Sequence, residues 1–264
     1  MTTVNDILKF IETLAPKSMK ESWDNVGLLC GSTKQPVHKI LVALDPFESV
    51  CKEAADWGAD LLVTHHPVIF QPAKAVTDDD SVGRALLQLI RSGISAINAH
   101  TNLDCAPGGV NDVLAAKLGL VATTVMNPKG VDAEGRPWGL LRHGFVETQN
   151  LQDFLAHVKD ALDCNGLRYV EGSTSVHHVA VGGGSCADEM HDALAAGCDT
   201  FVTADVKYTQ FRSAFELGLT LIDAGHFHTE NPSMPVLAEK LREAFPGTEV
   251  VFSEKHTDCM KFFI

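Results

Sequence analysis

The chain lacks paired thiols. Its seven cysteines (Cys30, Cys51, Cys105, Cys164, Cys186, Cys198 and Cys259) are odd in number, and no two stand as Cys-x-x-Cys. That argues against a zinc ribbon or a dithiol redox motif and points to reduced thiols in a cytoplasm. Positive charge is also scarce. Lys and Arg total 21 against 34 Asp and Glu, a net charge of −13. A broad nucleic-acid surface or an anionic-membrane face needs the opposite sign, so neither partner is expected. No apolar run approaches the ~20 residues of a membrane span. The N-terminal MTTVNDILKFIETLAP carries Asp6 and Glu12 within its apolar pattern, which reads as a helix and not as a secretory signal. Nucleotide fingerprints are missing too: there is no P-loop and no Gly-x-Gly-x-x-Gly after a strand. VGGGS, at Val181 to Ser185, is glycine-rich but lacks the lysine, and reads as a tight strand-to-helix turn.

The chain does have enough apolar residues for a core. With 264 residues, 45% of them apolar, it suits one large domain or two small ones. Val4, Ile7, Leu8, Ile11 and Leu14 fall at helical spacing, closed by Pro16. HKILVAL reads as a buried strand, PFESVCKEAADWG as a helix capped by Gly58, and DLLVTHH as the next strand. SVGRALLQLIRSG is a helix closed by Gly93, ISAINAH a strand, and GGVNDVLAAKLGL a helix. Gly108 and Gly109 at its start serve as a helix cap or, less simply, as a phosphate cradle. TTVMNPKGVDAEGRPW reads as a connection, GLLRHGFVE as a strand and NLQDFLAHVKDAL as a helix.

An internal repeat organises these elements. VCKEAADWGADLLVTHH resembles EMHDALAAGCDTFVTAD, sharing Gly-x-Asp-x-x-Val-Thr at Gly58, Asp60, Val63, Thr64 and at Gly197, Asp199, Val202, Thr203. A strand precedes each copy, and a helix and strand follow. The expected fold class is α/β: two related α/β lobes with mainly parallel or mixed sheets and a metal site in the cleft between them. Residues 1–120 form the first lobe, 121–138 the connection and 139–264 the second lobe.

Ligands of open α/β sheets bind beyond the carboxyl ends of the strands. His65 and His66 stand at one such end, His100 and Asp104 at the next, and Asp205, His226 and Glu230 at the matching ends of the second half. Twelve histidines in 264 residues give roughly 0.5 adjacent pairs by chance, so the pair at 65–66 gains its weight from this placement. Imidazole and carboxylate donors without thiolate suit zinc, iron, manganese, cobalt or nickel. His226 and Glu230, spaced i to i+4, share a face if helical. His100 reads as a ligand, or as a base facing substrate.

HHP, AHTNLDCAPGGVND, DNVGL, DVKY and DAGHFHTE together resemble the Nif-three-like family, also known as GTP cyclohydrolase I type 2 homologues. The resemblance spans nearly the whole chain. It implies a dinuclear centre of two divalent ions with ligands His65, His66, Asp104, His226 and Glu230, the last as bridge. It also implies a ring-shaped homohexamer, in the short form without the domain that many bacterial relatives insert between the halves. Two positions depart from the pattern: Thr209 stands where the family often has histidine, and His228 where a small residue is common. His228 reads as a cleft-rim side chain. Two functions remain open. One is a metal-dependent hydrolase of a small molecule, a nucleotide such as GTP, with His100 as proton shuttle; the family label implies water attack at purine C8 and loss of formate. The other is a non-catalytic metal-binding protein that stores or delivers iron or acts as an adaptor.

Overall fold

A computed structural model describes residues 1–263. They fall into two compact units: residues 1–103 with 234–257, and residues 104–233 with the segment from Asp258 onward. Both are α/β with mixed sheets, as the sequence predicts.

The first unit holds a five-stranded sheet in the order Gly27–Cys30, Ser95–Asn98, Leu61–Thr64, Lys39–Ala43, Glu249–Phe252. The last four are parallel and the first is an antiparallel edge. Leu61–Thr64 and Ser95–Asn98 are buried throughout, as strands covered on both faces must be. Helices Glu48–Trp57 and Ser81–Ser92 pack Val50, Ala54, Leu86 and Leu89 onto Leu41 and Leu62. Thr64 pairs with Asn98 and with Ala43, so the three strands end level. His65, His66 and His100 follow those ends directly.

The second unit holds a six-stranded sheet in the order Val121–Met126, Leu141–Asn150, Ser175–Val181, Thr200–Thr203, Thr220–Asp223, Arg168–Val170. Its three-strand centre, from Ser175–Val181 to Thr220–Asp223, is parallel and both flanks are antiparallel. Helices Val110–Lys117 and Leu151–Ala161 pack Leu114, Phe154 and Val158 against Val179, Val202 and Ile222.

The repeated aspartates have the same role in each unit. One Asp60 carboxylate oxygen accepts from the backbone N–H groups of His38 and Lys39, at 2.7 and 3.0 Å. One Asp199 oxygen accepts from His177 and His178, at 3.0 and 2.8 Å. Their own backbone groups continue the match. Asp60 N–H donates to Lys39 O and its carbonyl accepts from Ser95, as Asp199 does with His178 and Thr220. The preceding glycines, Gly58 and Gly197, take φ +74° and +80°, where a side chain is strained. The shared motif thus marks one structural joint: helix end, left-handed turn, and a carboxylate that pins the start of the neighbouring strand.

Two sequence expectations are corrected. The supposed connection, 121–138, contains the edge strand Val121–Met126 and the small hairpin Gly130–Val131 with Pro137–Trp138. Its polarity arises because the strand is half-exposed and the hairpin turn is built on Asp132, whose carboxylate accepts from the N–H groups of Glu134 and Arg136. The units also cut the chain differently from 1–120 and 139–264. Residues 104–120 join the second unit because helix Val110–Lys117 fills its core. Residues 234–257 join the first because Glu249–Phe252 extends its sheet, Val250 opposite Ile40.

Arg142 ties the start of the second unit down. It is 1% exposed, pairs with both carboxylate oxygens of Asp112 at 2.7 and 3.1 Å, and donates to the carbonyls of Cys105, Ala106, Gly139 and Leu141. Removing it takes the charged partner from Asp112 and a donor from each of four carbonyls, and empties a buried position. Arg142→Ala is expected to lower unfolding free energy by about 3 kcal/mol, read from urea denaturation at neutral pH; a loss below about 1 kcal/mol counts against this role.

Candidate metal centre

In the first unit the three strand-end histidines converge. One ring nitrogen from each of His65, His66 and His100 lies within 4.8 Å of the other two. Each ring is held by the same atom. His65 Nδ1 donates to the Ala99 carbonyl at 2.8 Å, His66 Nδ1 to Asp45 Oδ1 at 2.7 Å, and His100 Nδ1 to Asp24 Oδ1 at 2.8 Å. A carbonyl or carboxylate only accepts, so the Nδ1 atoms carry the protons and the neutral rings bear their lone pairs on Nε2.

The carboxylates are themselves fixed. Asp24 accepts from the Thr101 hydroxyl and N–H, at 2.5 and 3.1 Å. Burial pushes its carboxyl pKa up, but hydrogen bonds from His100 and Thr101 outweigh that and hold it well below the usual carboxylate range. Asp45 behaves alike: burial opposes ionisation, and His256 and His66 overcome it.

In the second unit the donors are mostly acidic. Asp104 and Glu230 are buried, and an oxygen of each lies within 4.8 Å of the other. His226–Glu230 is one helical turn, so Glu230 Oε2 sits 3.0 Å from His226 Nε2. Asp205 Oδ2 takes His226 Nδ1 at 2.7 Å from a left-handed conformation, φ +53°. The His226 hydrogen bond lowers the Asp205 pKa against burial. Burial disfavours a charged His226, but Glu230 and Asp205 raise its pKa to about 11.

The glycine turn at 182–184 faces this acidic set and is not a phosphate cradle. Its N–H groups are spent on Val202 O, Asn111 Oδ1 and Thr229 Oγ1. A Cβ on Gly184 would stand 2.2 Å from Glu230 Oε1 and 3.2 Å from His226 Nε2, so only glycine lets the backbone approach so closely. Cys186 lies in the same turn, its thiol donating to Gly183 O at 3.2 Å. Burial and then Asp104 and Glu230 push its pKa well above the ordinary thiol value. At the start of helix Val110–Lys117, Gly108 N–H donates to Asp112 at 2.6 Å, the plain cap.

His228 is not a rim residue. It is buried, with Nδ1 donating to Leu162 O and Nε2 against Asp258, both at 3.2 Å, so it anchors the C-terminal segment to the second unit. Thr209 lies exposed in the first turn of helix Tyr208–Leu217. The residues that sequence reasoning missed are those that hold others: Asp24, Asp45, Gly184 and Cys186. Asp45 carried a signal, since it follows the buried strand Lys39–Ala43 at the sheet end where ligands gather.

These donor sets accompany a match to the family model described as Duf34/NIF3 (NGG1p interacting factor 3) over residues 2–259. The chain belongs to the Duf34/NIF3 family. Relatives named GTP cyclohydrolase 1 type 2 homolog agree. The Clostridium perfringens protein is 34% identical over 98% of this chain and 99% of its own length, and the Streptomyces coelicolor protein 35% identical over 92% and 87%. The crystal structure of a Bacillus cereus protein related to NIF3 superposes with a TM-score of 0.93 at 26% identity, covering 100% of this chain and 99% of that one. This NIF3-family chain therefore carries groups of histidine and carboxylate suited to hold a metal ion.

In metal-free protein the His226 charge is linked to stability. Its pKa rises from 6.5 to about 11 on folding, so the stabilisation is full below about pH 6.5 and is lost as pH rises through about 11. Nitrogen-edited NMR of the imidazoles should show His226 still doubly protonated at pH 8. Glu230→Gln should lower the His226 pKa, with Asp205 still opposing full deprotonation; an unshifted wild-type resonance contradicts the pairing.

Proposed function

We propose that the chain is a divalent-metal-dependent hydrolase. In this reading His65, His66, Asp104, His226 and Glu230 would hold two divalent ions. The observation that carries it is the uniform Nδ1 anchoring of His65, His66, His100 and His226, an arrangement typical of metal-binding imidazoles. Donor chemistry supports it: the histidines offer imidazole, and Asp104 and Glu230 supply the carboxylates that a pair of cations needs for charge balance. Two such ions, when bound, supply Lewis-acid polarisation and bring the pKa of a coordinated water towards neutrality.

The chain's own residues do the rest. Asp24 fixes the His100 ring so that Nε2 can take a proton from attacking water and return it to the leaving group. Trp23 and Phe70, 60% and 44% exposed, pack edge to face 5.8 Å apart, and their ring centroids lie 6.3 and 6.1 Å from His100. Exposed aromatic faces beside a proton-transfer group suit a flat heterocycle, in keeping with a purine nucleotide. For GTP the reaction is water addition at C8 and release of formate, the activity suggested by the relatives' name. The family's ring-shaped homohexamer is part of this reading.

Purified protein loaded with zinc, iron or manganese should bind about two equivalents and release formate from GTP. Glu230→Ala should lose metal and activity together. Trp23→Ala should raise KM and keep the metal. Metal at two equivalents with no turnover of any nucleotide favours instead a storage, delivery or adaptor role; unchanged metal in Glu230→Ala removes the site. Sedimentation equilibrium should give a mass six times that of the chain, and a monomer or dimer rejects the ring.

A further inference from the structure

A separate cluster of donors lies within the second unit. His143 is on strand Leu141–Asn150 and His178 on its antiparallel neighbour Ser175–Val181. His143 pairs with Ala180 and Phe145 with His178, so the two imidazoles are diagonal neighbours on one face of the sheet. Cys198 leads into Thr200–Thr203, the strand on the other side of Ser175–Val181. One ligand atom from each of His143, His178 and Cys198 lies within 4.8 Å of the other two. Phe145 stacks on His178 with ring centroids 4.4 Å apart and shields one side of it.

The protons in this cluster run one way. His178 Nδ1 must donate to the Gly197 carbonyl at 3.1 Å, because a carbonyl only accepts. His178 Nε2 is then an acceptor, and His143 Nδ1 donates to it at 2.9 Å. His143 Nε2 in turn accepts from the Thr124 hydroxyl at 2.8 Å. A single proton thus occupies the gap between the two rings.

A cation fits that gap with little rearrangement. His178 already turns a lone pair into it. His143 supplies a second by moving its proton from Nδ1 to Nε2, and the Thr124 hydroxyl, able to accept as well as donate, keeps that bond. At zinc–nitrogen distances of ~2.0–2.1 Å in tetrahedral geometry the two nitrogens stand about 3.3 Å apart, so the rings need to part by only a few tenths of an ångström. Both histidines are half-buried, which leaves a path from solvent and room for water as a fourth ligand.

We propose that His143, His178 and Cys198 form a second metal site, specific for a borderline-soft divalent cation such as zinc. Two imidazoles and a thiolate select zinc or cobalt over magnesium, calcium and manganese, unlike the carboxylate-rich set. The ion fastens two neighbouring strands and the lead-in to a third, close to where Asp199 accepts from the N–H groups of His177 and His178, so its role is structural.

Cobalt distinguishes this site from the other. A thiolate ligand gives cobalt a near-ultraviolet charge-transfer band that histidine and carboxylate ligands do not. The wild type titrated with cobalt should develop this band to the amplitude of one thiolate-bound cobalt per chain, and zinc should abolish it. Cys198→Ala and His143→Gln, each checked for fold by circular dichroism, should lose the band and one equivalent of metal. Glu230→Ala should keep the band. X-ray absorption of the zinc-loaded wild type needs no variant and should show a sulfur neighbour at about 2.3 Å. Absence of that sulfur, a band that survives Cys198→Ala, or a band that vanishes in Glu230→Ala overturns the proposal.

Discussion

An imidazole coordinates well through one nitrogen only when the other is held still, and this constraint governs the candidate centre. Four histidines meet it with four different acceptors: one backbone carbonyl and the carboxylates of Asp45, Asp24 and Asp205. Three of these acceptors, Ala99, Asp45 and Asp205, stand where a buried strand has just ended; Asp24 comes instead from the loop before edge strand Gly27–Cys30. The parallel sheets do more than form a core: their level ends set the acceptors, the acceptors set the rings, and the rings set which lone pairs are offered. The energy of any single hydrogen bond is modest, about 1 kcal/mol net. Its value here is directional.

The same economy appears in the repeat. Asp60 and Asp199 accept from backbone N–H groups, and they recur because a strand entering a parallel sheet leaves N–H groups that need an acceptor. A polar match between two halves of a chain can therefore reflect a shared joint in the scaffold and not a shared active residue. Beyond the joint the halves diverge. Thr64 is followed by two histidines, whereas Thr203 is followed by Ala204 and the left-handed Asp205.

Much of this was legible in the chain itself. Periodicity and glycine caps located the helices, apolar runs located the parallel strands, and the strand-end rule collected His65, His66, His100, Asp104, His226 and Glu230. Legibility failed where information is non-local. Nothing near Glu249 says that its strand pairs with Lys39–Ala43, some two hundred residues earlier. Edge strand Val121–Met126 hid because an exposed edge relaxes the apolar requirement that marks a strand. Asp24 and Asp45 hid because an orienting carboxylate has no spacing relative to its histidine. His228 was misplaced for a related reason: proximity in sequence to His226 and Glu230 does not keep a side chain on their face, and this one turns into the unit to meet Leu162 and Asp258.

The buried thiol of Cys186 has a chemical consequence of its own. Sulfur next to a metal-binding site is usually a hazard, since a thiolate captures soft ions and is the first group lost to peroxide. Here burial and the Asp104 and Glu230 carboxylates suppress the anion. The negative charge that makes this end of the unit attractive to cations also keeps its sulfur protonated, a poor ligand and slow to oxidise. The carboxylates suited to draw a cation thus hold a neighbouring thiol in its less reactive form.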